Sequence, residues 1–142
     1  MNKQALIQQL AAVTAIDLER VVQPYTWTGH IPFAMYLTSL LKPSLLVELG
    51  THSGNSFNAF CQYIKENKFN TQCVAVDCWE GDEQAGFYGE DIYQNLLEHQ
   101  ESNYKSFAKL KRSYFDDAVE DFDDGSIDLL HIDGLHTYDA VK

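Results

Sequence analysis

Four side chains in this sequence stand where chemistry is commonly placed: Glu48, Asp77, Asp133 and His136, each in or just past the last positions of a short, branched apolar run. The first run, Leu45-Leu46-Val47-Glu48-Leu49, leads directly into Gly50-Thr51-His52-Ser53-Gly54-Asn55-Ser56. A strand, a tight loop and the start of a helix are predicted there. Glycine lets the backbone turn sharply and approach a ligand closely, and the unpaired N–H groups at a helix start favour a negative group. Such a turn is a cradle for a nucleotide cofactor. The spacing separates two kinds of cradle, because a dinucleotide fingerprint needs Gly at 50, 52 and 55, whereas 52 is His and 55 is Asn. What remains is an acid followed by two glycines, in the pattern ExGxxxG.

Gln72-Cys73-Val74-Ala75-Val76-Asp77 reads as a second buried strand that ends in an acid. In open α/β sheets ligands bind beyond the carboxyl ends of the strands, where an acid can accept both hydroxyls of a ribose. A turn cap is the competing role for Asp77. Ser126 to Asp133 is another strand, followed by Gly134 and His136. In a doubly wound sheet of order 3-2-1-4 this fourth strand pairs with the first, so Asp133 and His136 emerge beside the glycine loop. A His near a strand end also serves as an ordinary hydrogen-bonded loop residue. His131, inside the strand, reads as structural.

The elements that must position these groups are legible in order. Residues 3–22 carry Leu6, Ile7, Leu10, Val13, Ile16 and Leu18 at roughly helical spacing, and Pro24 stops the run. A polar and aromatic loop holding Trp27 and His30 follows. It either caps the surface or folds over the cofactor pocket. Helices are predicted over 32–41, 56–65 and 91–108, a long acidic loop over 79–90, a short edge strand over 110–114 and an acidic helix and turn over 116–124, its carboxylates read as a solvated face. With 142 residues and 45% hydrophobic composition the chain is long enough for one domain with its own core. We divide it into a helical cap, residues 1–42, and an α/β core, residues 43–142.

A formal net charge of −11, with ten Lys and Arg spread along the chain, argues against a nucleic-acid partner, which requires clustered cations. Small neutral or cationic substrates fit better. The sequence has no signal-like N-terminus and no apolar run near the ~20 residues that span a bilayer, so a soluble, cytoplasmic protein without a membrane partner is expected. Cys61, Cys73 and Cys78 form no CxxC pair and are odd in number, which fits reduced thiols.

The ExGxxxG loop and the later Ile132-Asp133-Gly134-Leu135-His136-Thr137-Tyr138 resemble the class I S-adenosylmethionine-dependent methyltransferases, over about residues 26–142. The resemblance implies a Rossmann-like three-layer sandwich. It implies S-adenosylmethionine held by Glu48, Gly50, Thr51, Gly54, Ser56, Asp77 and Asp133, with Ser113 and Tyr114 placed by position near the adenine. The stretch from Gly81 to Glu90 looks like a branch acting on small molecules, often in sugar or glycosyl-transfer pathways. The segment from Ile132 to Tyr138 resembles the motif of divalent-metal-dependent O-methyltransferases. There the Asp, here Asp133, is a metal ligand such as for Mg²⁺, and the His, here His136, is a general base. Class I members have seven strands and this chain stops after four, so it is expected to be an N-terminal portion that self-associates through the open sheet edge. The expected function is methyl transfer to a hydroxyl of a small molecule, such as a sugar. A non-catalytic binding or assembly module is one alternative, and a nicotinamide-dependent oxidoreductase is another that the missing glycines disfavour.

Overall fold

The computed structural model describes residues 2–83 and 85–138. Four strands, β1 (Leu45–Leu49), β2 (Gln72–Asp77), β3 (Ala108–Arg112) and β4 (Leu129–Ile132), form one parallel sheet in the order β3-β2-β1-β4. That is the expected α/β topology, with the order reversing between β1 and β4. Register aligns Glu48 with both Ala75 and His131, and Asp77 with Arg112, so Glu48 lies two residues short of the level of Asp77 at the carboxyl end of the sheet.

Period-two alternation splits each strand between two faces. Leu46, Cys73, Ala75 and Leu129 pack with Phe57, Phe60, Cys61 and Ile64 of α3 (Asn55–Asn67) and with Ala34 of α2 (Ile31–Leu41). Val47, Val74 and Val76 face the other way, onto Ala118, Phe115 and Phe122. Helices therefore cover both faces, but unevenly. Among the described residues the second face has only α5 (Phe115–Ala118) and a 3-10 turn, Val119–Asp121, where a longer helix over 116–124 was expected. The acids there are exposed, as a solvated face requires. All three cysteines are free.

Several boundaries move for identifiable reasons. Helix α1 spans Lys3–Thr14 and not 3–22; its N-cap Asn2 accepts from the Ala5 N–H, and Thr14 Oγ1 bonds back to the carbonyls of Leu10 and Ala11. Ile16 and Leu18 still pack into the cluster of Val13, Ile31 and Met35, but from an irregular strap. The strap's backbone is satisfied by side chains of α3: Gln62 bonds Glu19 N and Asp17 O, and Asn55 bonds Val22 N, Val22 O and Pro24 O. Helix α4 spans Glu90–Asn103, and β3 begins at Ala108, two residues before the expected start, because Ala108 pairs with the buried Cys73. The expected loop over 79–90 holds a small antiparallel hairpin, Gly81–Asp82 with Gly86–Phe87; its Gln84 lies outside the described residues. Among the described residues no helix is long and apolar enough to cross a membrane.

Candidate cofactor crevice

The glycine loop leaves β1 through Gly50, at φ 85°, whose N–H donates to the Val76 carbonyl at 2.9 Å. A Cβ there would run into the Asp133 carbonyl, so only glycine lets β1 turn this close to the end of β4. Gly54, at φ 82°, caps α3, and a Cβ on it would collide with Leu96 of α4. Both glycines are thus fixed by packing as much as by any ligand.

Asp77 is the anchor of this loop. It is only 4% exposed, its Oδ2 accepts from the N–H groups of Thr51 and His52 at 2.8 Å each, and its Oδ1 accepts from Trp79 N–H at 2.7 Å. Trp79 is fully buried at φ 54°, an uncommon backbone for an aromatic residue. Its indole N–H donates to the His52 carbonyl at 2.9 Å, which ties the start of the 79–90 loop to the glycine loop. The Tyr88 hydroxyl lies 3.3 Å from Asp77 Oδ2. Burial and the neighbouring Asp77 charge hold that phenol well above its ordinary pKa, so it stays protonated.

Two adjoining cavities open at the carboxyl ends of the strands. The first, about 390 Å³, is lined by Thr51, Ser53, Asn55 and Ser56 of the loop and α3, by Pro24, Thr26 and Trp27 of the strap, and by Asp133 and His136. The second, about 300 Å³, is lined by Asp77, Cys78, Tyr88, Ser113, Tyr114 and Phe115. Gly50, His52, Asp82, Ala85, Asp133 and Gly134 line both, so the two are halves of one crevice at the point where strand order reverses. Asp77, Asp82 and Asp133 line it, and among the described residues no Lys or Arg does.

Of the expected site residues, Gly50, Thr51, Ser56, Asp77, Ser113, Asp133 and His136 meet here, with Tyr114 beside Ser113. Gly54 frames the loop without lining either half. Glu48 is a correction. It is fully buried and lines neither cavity, because its side chain points onto the face covered by α3, and its Oε2 pairs with His131 Nδ1 at 2.8 Å. Burial pushes the Glu48 carboxyl up, opposed first by His131 and then by the hydroxyls of Ser56 and Thr51. Burial pulls His131 down, but the Glu48 carboxylate outweighs it and the net direction is up. The structural reading of His131 thus gains a partner that the sequence did not show.

His136 Nε2 lies 3.0 Å from Asp133 Oδ1. Among the described residues no group of three or more His, Cys, Asp and Glu is placed to hold an ion, so the divalent-metal role that the resemblance implies for Asp133 gains no support from this pair alone.

Sequence reasoning missed His52, Asp82, Tyr88 and Asn55. For His52 the signal was present, since it fills the place where a dinucleotide loop has glycine. Trp27, read as either a surface cap or part of a lid, lines the crevice while its ring packs edge-on to His131 at 5.1 Å. His30 does not reach the crevice.

A glycine loop, an acid ending β2 and a crevice at the reversal of strand order define a nucleotide-cofactor-binding α/β domain. Residues 47–142 match a family described as a methyltransferase domain, and the chain belongs to that family. An uncharacterized protein of Sinorhizobium fredii is 48% identical over 116 residues, covering 82% of this chain and 13% of that protein. The fold is similar to an SAH-bound methyltransferase of Podospora anserina, with TM-score 0.58 and 14% identity, covering 94% of this chain and 51% of that one. It is also similar to an O-methyltransferase of Bacillus cereus in complex with SAH, with TM-score 0.53 and 18% identity, covering 94% of this chain and 56% of that one. The chain spans about half the length of these solved relatives.

Proposed function

We propose that this chain is the cofactor-binding portion of an S-adenosylmethionine-dependent O-methyltransferase. The observation that carries the reading is the charge of the crevice. A nicotinamide dinucleotide would bring a pyrophosphate into a crevice lined by Asp77, Asp82 and Asp133 and, among the described residues, by no Lys or Arg; Arg20, the cation at the loop, donates to the Ser53 carbonyl and Asn95 and lines neither half. A cofactor with a sulfonium and an ammonium suits the same carboxylates. The close approach allowed by Gly50 and the SAH bound by two proteins of similar fold support it further.

Bound there, the cofactor supplies an electrophilic methyl group to the acceptor oxygen and leaves as the thioether. The chain's own contribution is position and proton removal. In the tautomer with Nε2–H donating to Asp133, the basic lone pair of His136 sits on Nδ1, the arrangement of a general base held by a carboxylate. Asp133 then orients the ring and stabilises the imidazolium that forms. The acceptor we propose is a small neutral hydroxyl compound such as a sugar. Support comes from the first half of the crevice, where Thr26 and Ser53 offer polar groups beside Trp27 and, among the described residues, no Lys or Arg lines the wall.

Calorimetric titration of residues 1–142 with S-adenosylhomocysteine and with NADH tests the reading. Saturable binding of the first and none of the second is expected. The reverse preference would overturn it.

A further inference from the structure

We infer that His52 is a specificity-determining residue of this crevice: held as a neutral imidazole with its proton on Nε2, it lets the crevice favour the sulfonium form of the cofactor over the thioether product, and a second ring proton removes that preference. The inference rests on the cofactor reading above and adds the residue that distinguishes the charged cofactor from its uncharged-sulfur product.

Geometry fixes the tautomer. The Ser53 N–H donates to His52 Nδ1 at 2.6 Å, so Nδ1 must carry a lone pair and the single ring proton must sit on Nε2. The ring cannot easily turn away. It packs against the Tyr88 ring at a tilt of 59°, with centroids 4.1 Å apart. Its backbone, at φ 50°, is pinned on one side by the bond from His52 N–H to Asp77 and on the other by Trp79 Nε1 donating to the His52 carbonyl. Protonating Nδ1 would break the Ser53 bond and set two N–H groups against each other.

Placement gives the fixed tautomer its consequence. His52 lines both halves of the crevice, so a bound molecule spanning them passes this ring. The charged and titratable groups around it come from every neighbouring element. β2 contributes Asp77, the hairpin loop Asp82 and Tyr88, the end of β4 Asp133 and His136, and the strap Arg20, whose guanidinium donates to the Ser53 carbonyl at 2.6 Å. The carboxylates of Asp77, Asp82 and Asp133 line the crevice that this neutral imidazole also lines, and Asp77 is the charge that acts on the ring; together they favour a cation there. A charged imidazole in their midst offsets part of that field, and a sulfonium loses more by it than a thioether does. Burial lowers the His52 pKa while Asp77 opposes the shift, with the net direction downward, in keeping with a neutral ring at physiological pH.

The test compares affinities for S-adenosylmethionine and S-adenosylhomocysteine in a pH series from about 8 down to about 5, carried well below the ordinary imidazole pKa because burial holds His52 below that value. The proteins are the wild type, His136→Asn, and His52→Asn made in the His136→Asn background, so that the other crevice imidazole is absent from both variants. Asn tolerates the positive φ and keeps an acceptor for Ser53 N–H. In the wild type and in His136→Asn the preference for the sulfonium should fall roughly three- to tenfold on acidification. In the double variant the ratio should not move with pH. A flat ratio in the wild type, or a fall that persists in the double variant, overturns the assignment. Failure of both ligands to bind at the upper end of the pH series overturns the cofactor reading and this inference together. Long-range ¹H–¹⁵N spectra of the His52 ring check the tautomer without any ligand, and a proton on Nδ1 at the upper end of the series would also overturn the inference.

Discussion

Asp77 has two demands on one carboxylate. Its oxygens already accept three backbone N–H groups, from Thr51, His52 and Trp79, so a ribose placed on it would share an occupied anchor. Asp77→Ala should therefore cost stability as well as cofactor affinity, about 2–4 kcal/mol given charge-assisted bonds to buried donors. Chemical denaturation checks this, and a variant as stable as the wild type would show that the loop holds without its anchor. The Glu48–His131 pair makes a second prediction. His131→Ala removes the histidine partner of a fully buried carboxyl, with an expected loss of roughly 3 kcal/mol near neutrality. Glu48 can relieve this by taking a proton. Its folded pKa is already raised by burial and would rise further, so the folded form binds more protons than the unfolded one. Stability of the variant should be largest below the ordinary Glu pKa and decline as pH rises through the folded value. Denaturation at acid and alkaline pH should show a larger loss at the alkaline end, and an equal loss at both would argue against a buried, titrating Glu48.

At the scale of elements, the strap between α1 and α2 depends on side chains rather than on a ladder. Asn55 holds it at Val22 and Pro24 while lining the crevice that the strap walls. Asn55→Ala should expose residues 15–27 to limited proteolysis and cost about 1–2 kcal/mol, the scale of lost bonds to part-buried backbone. Resistance equal to the wild type would mean that apolar packing of Ile16 and Leu18 suffices. The same strap shows what sequence could not reveal. Val13, Ile16 and Leu18 sit at nearly helical intervals and are all core contacts, yet the partners that unwind the chain, Gln62 and Asn55, lie more than thirty residues away. β1, β2 and β4 were legible because branched apolar runs with terminal acids have few other uses. The helix over 116–124 was not, because its acids leave only Ala118, Phe115 and Phe122 to bury, enough for one turn and a 3-10 bend. At the site the glycines, Asp77 and the Asp133–His136 pair were readable from spacing and resemblance. The inward turn of Glu48 was hidden, because it follows from which sheet face the strand's even positions occupy.

At the scale of the whole molecule, β4 ends the sheet, with no strand on its outer side among the described residues, and Leu130 and Ile132 are 44% and 54% exposed. We expect residues 1–142 to self-associate through this edge, and Leu130→Lys with Ile132→Lys to abolish the association. Sedimentation velocity over a concentration series checks it, and a wild type monomeric throughout would contradict it. The central claim is that S-adenosylmethionine occupies the crevice at the carboxyl ends of β1, β2 and β4. The most direct measurement is amide NMR mapping of residues 1–142 titrated with S-adenosylhomocysteine. The account predicts saturable shifts at Gly50, Thr51, His52 and Ser53, at Cys78 and Ser113, and at Gly134, with α1 and the far ends of the strands unmoved. Shifts confined to other surfaces, or none at saturating ligand, would contradict it.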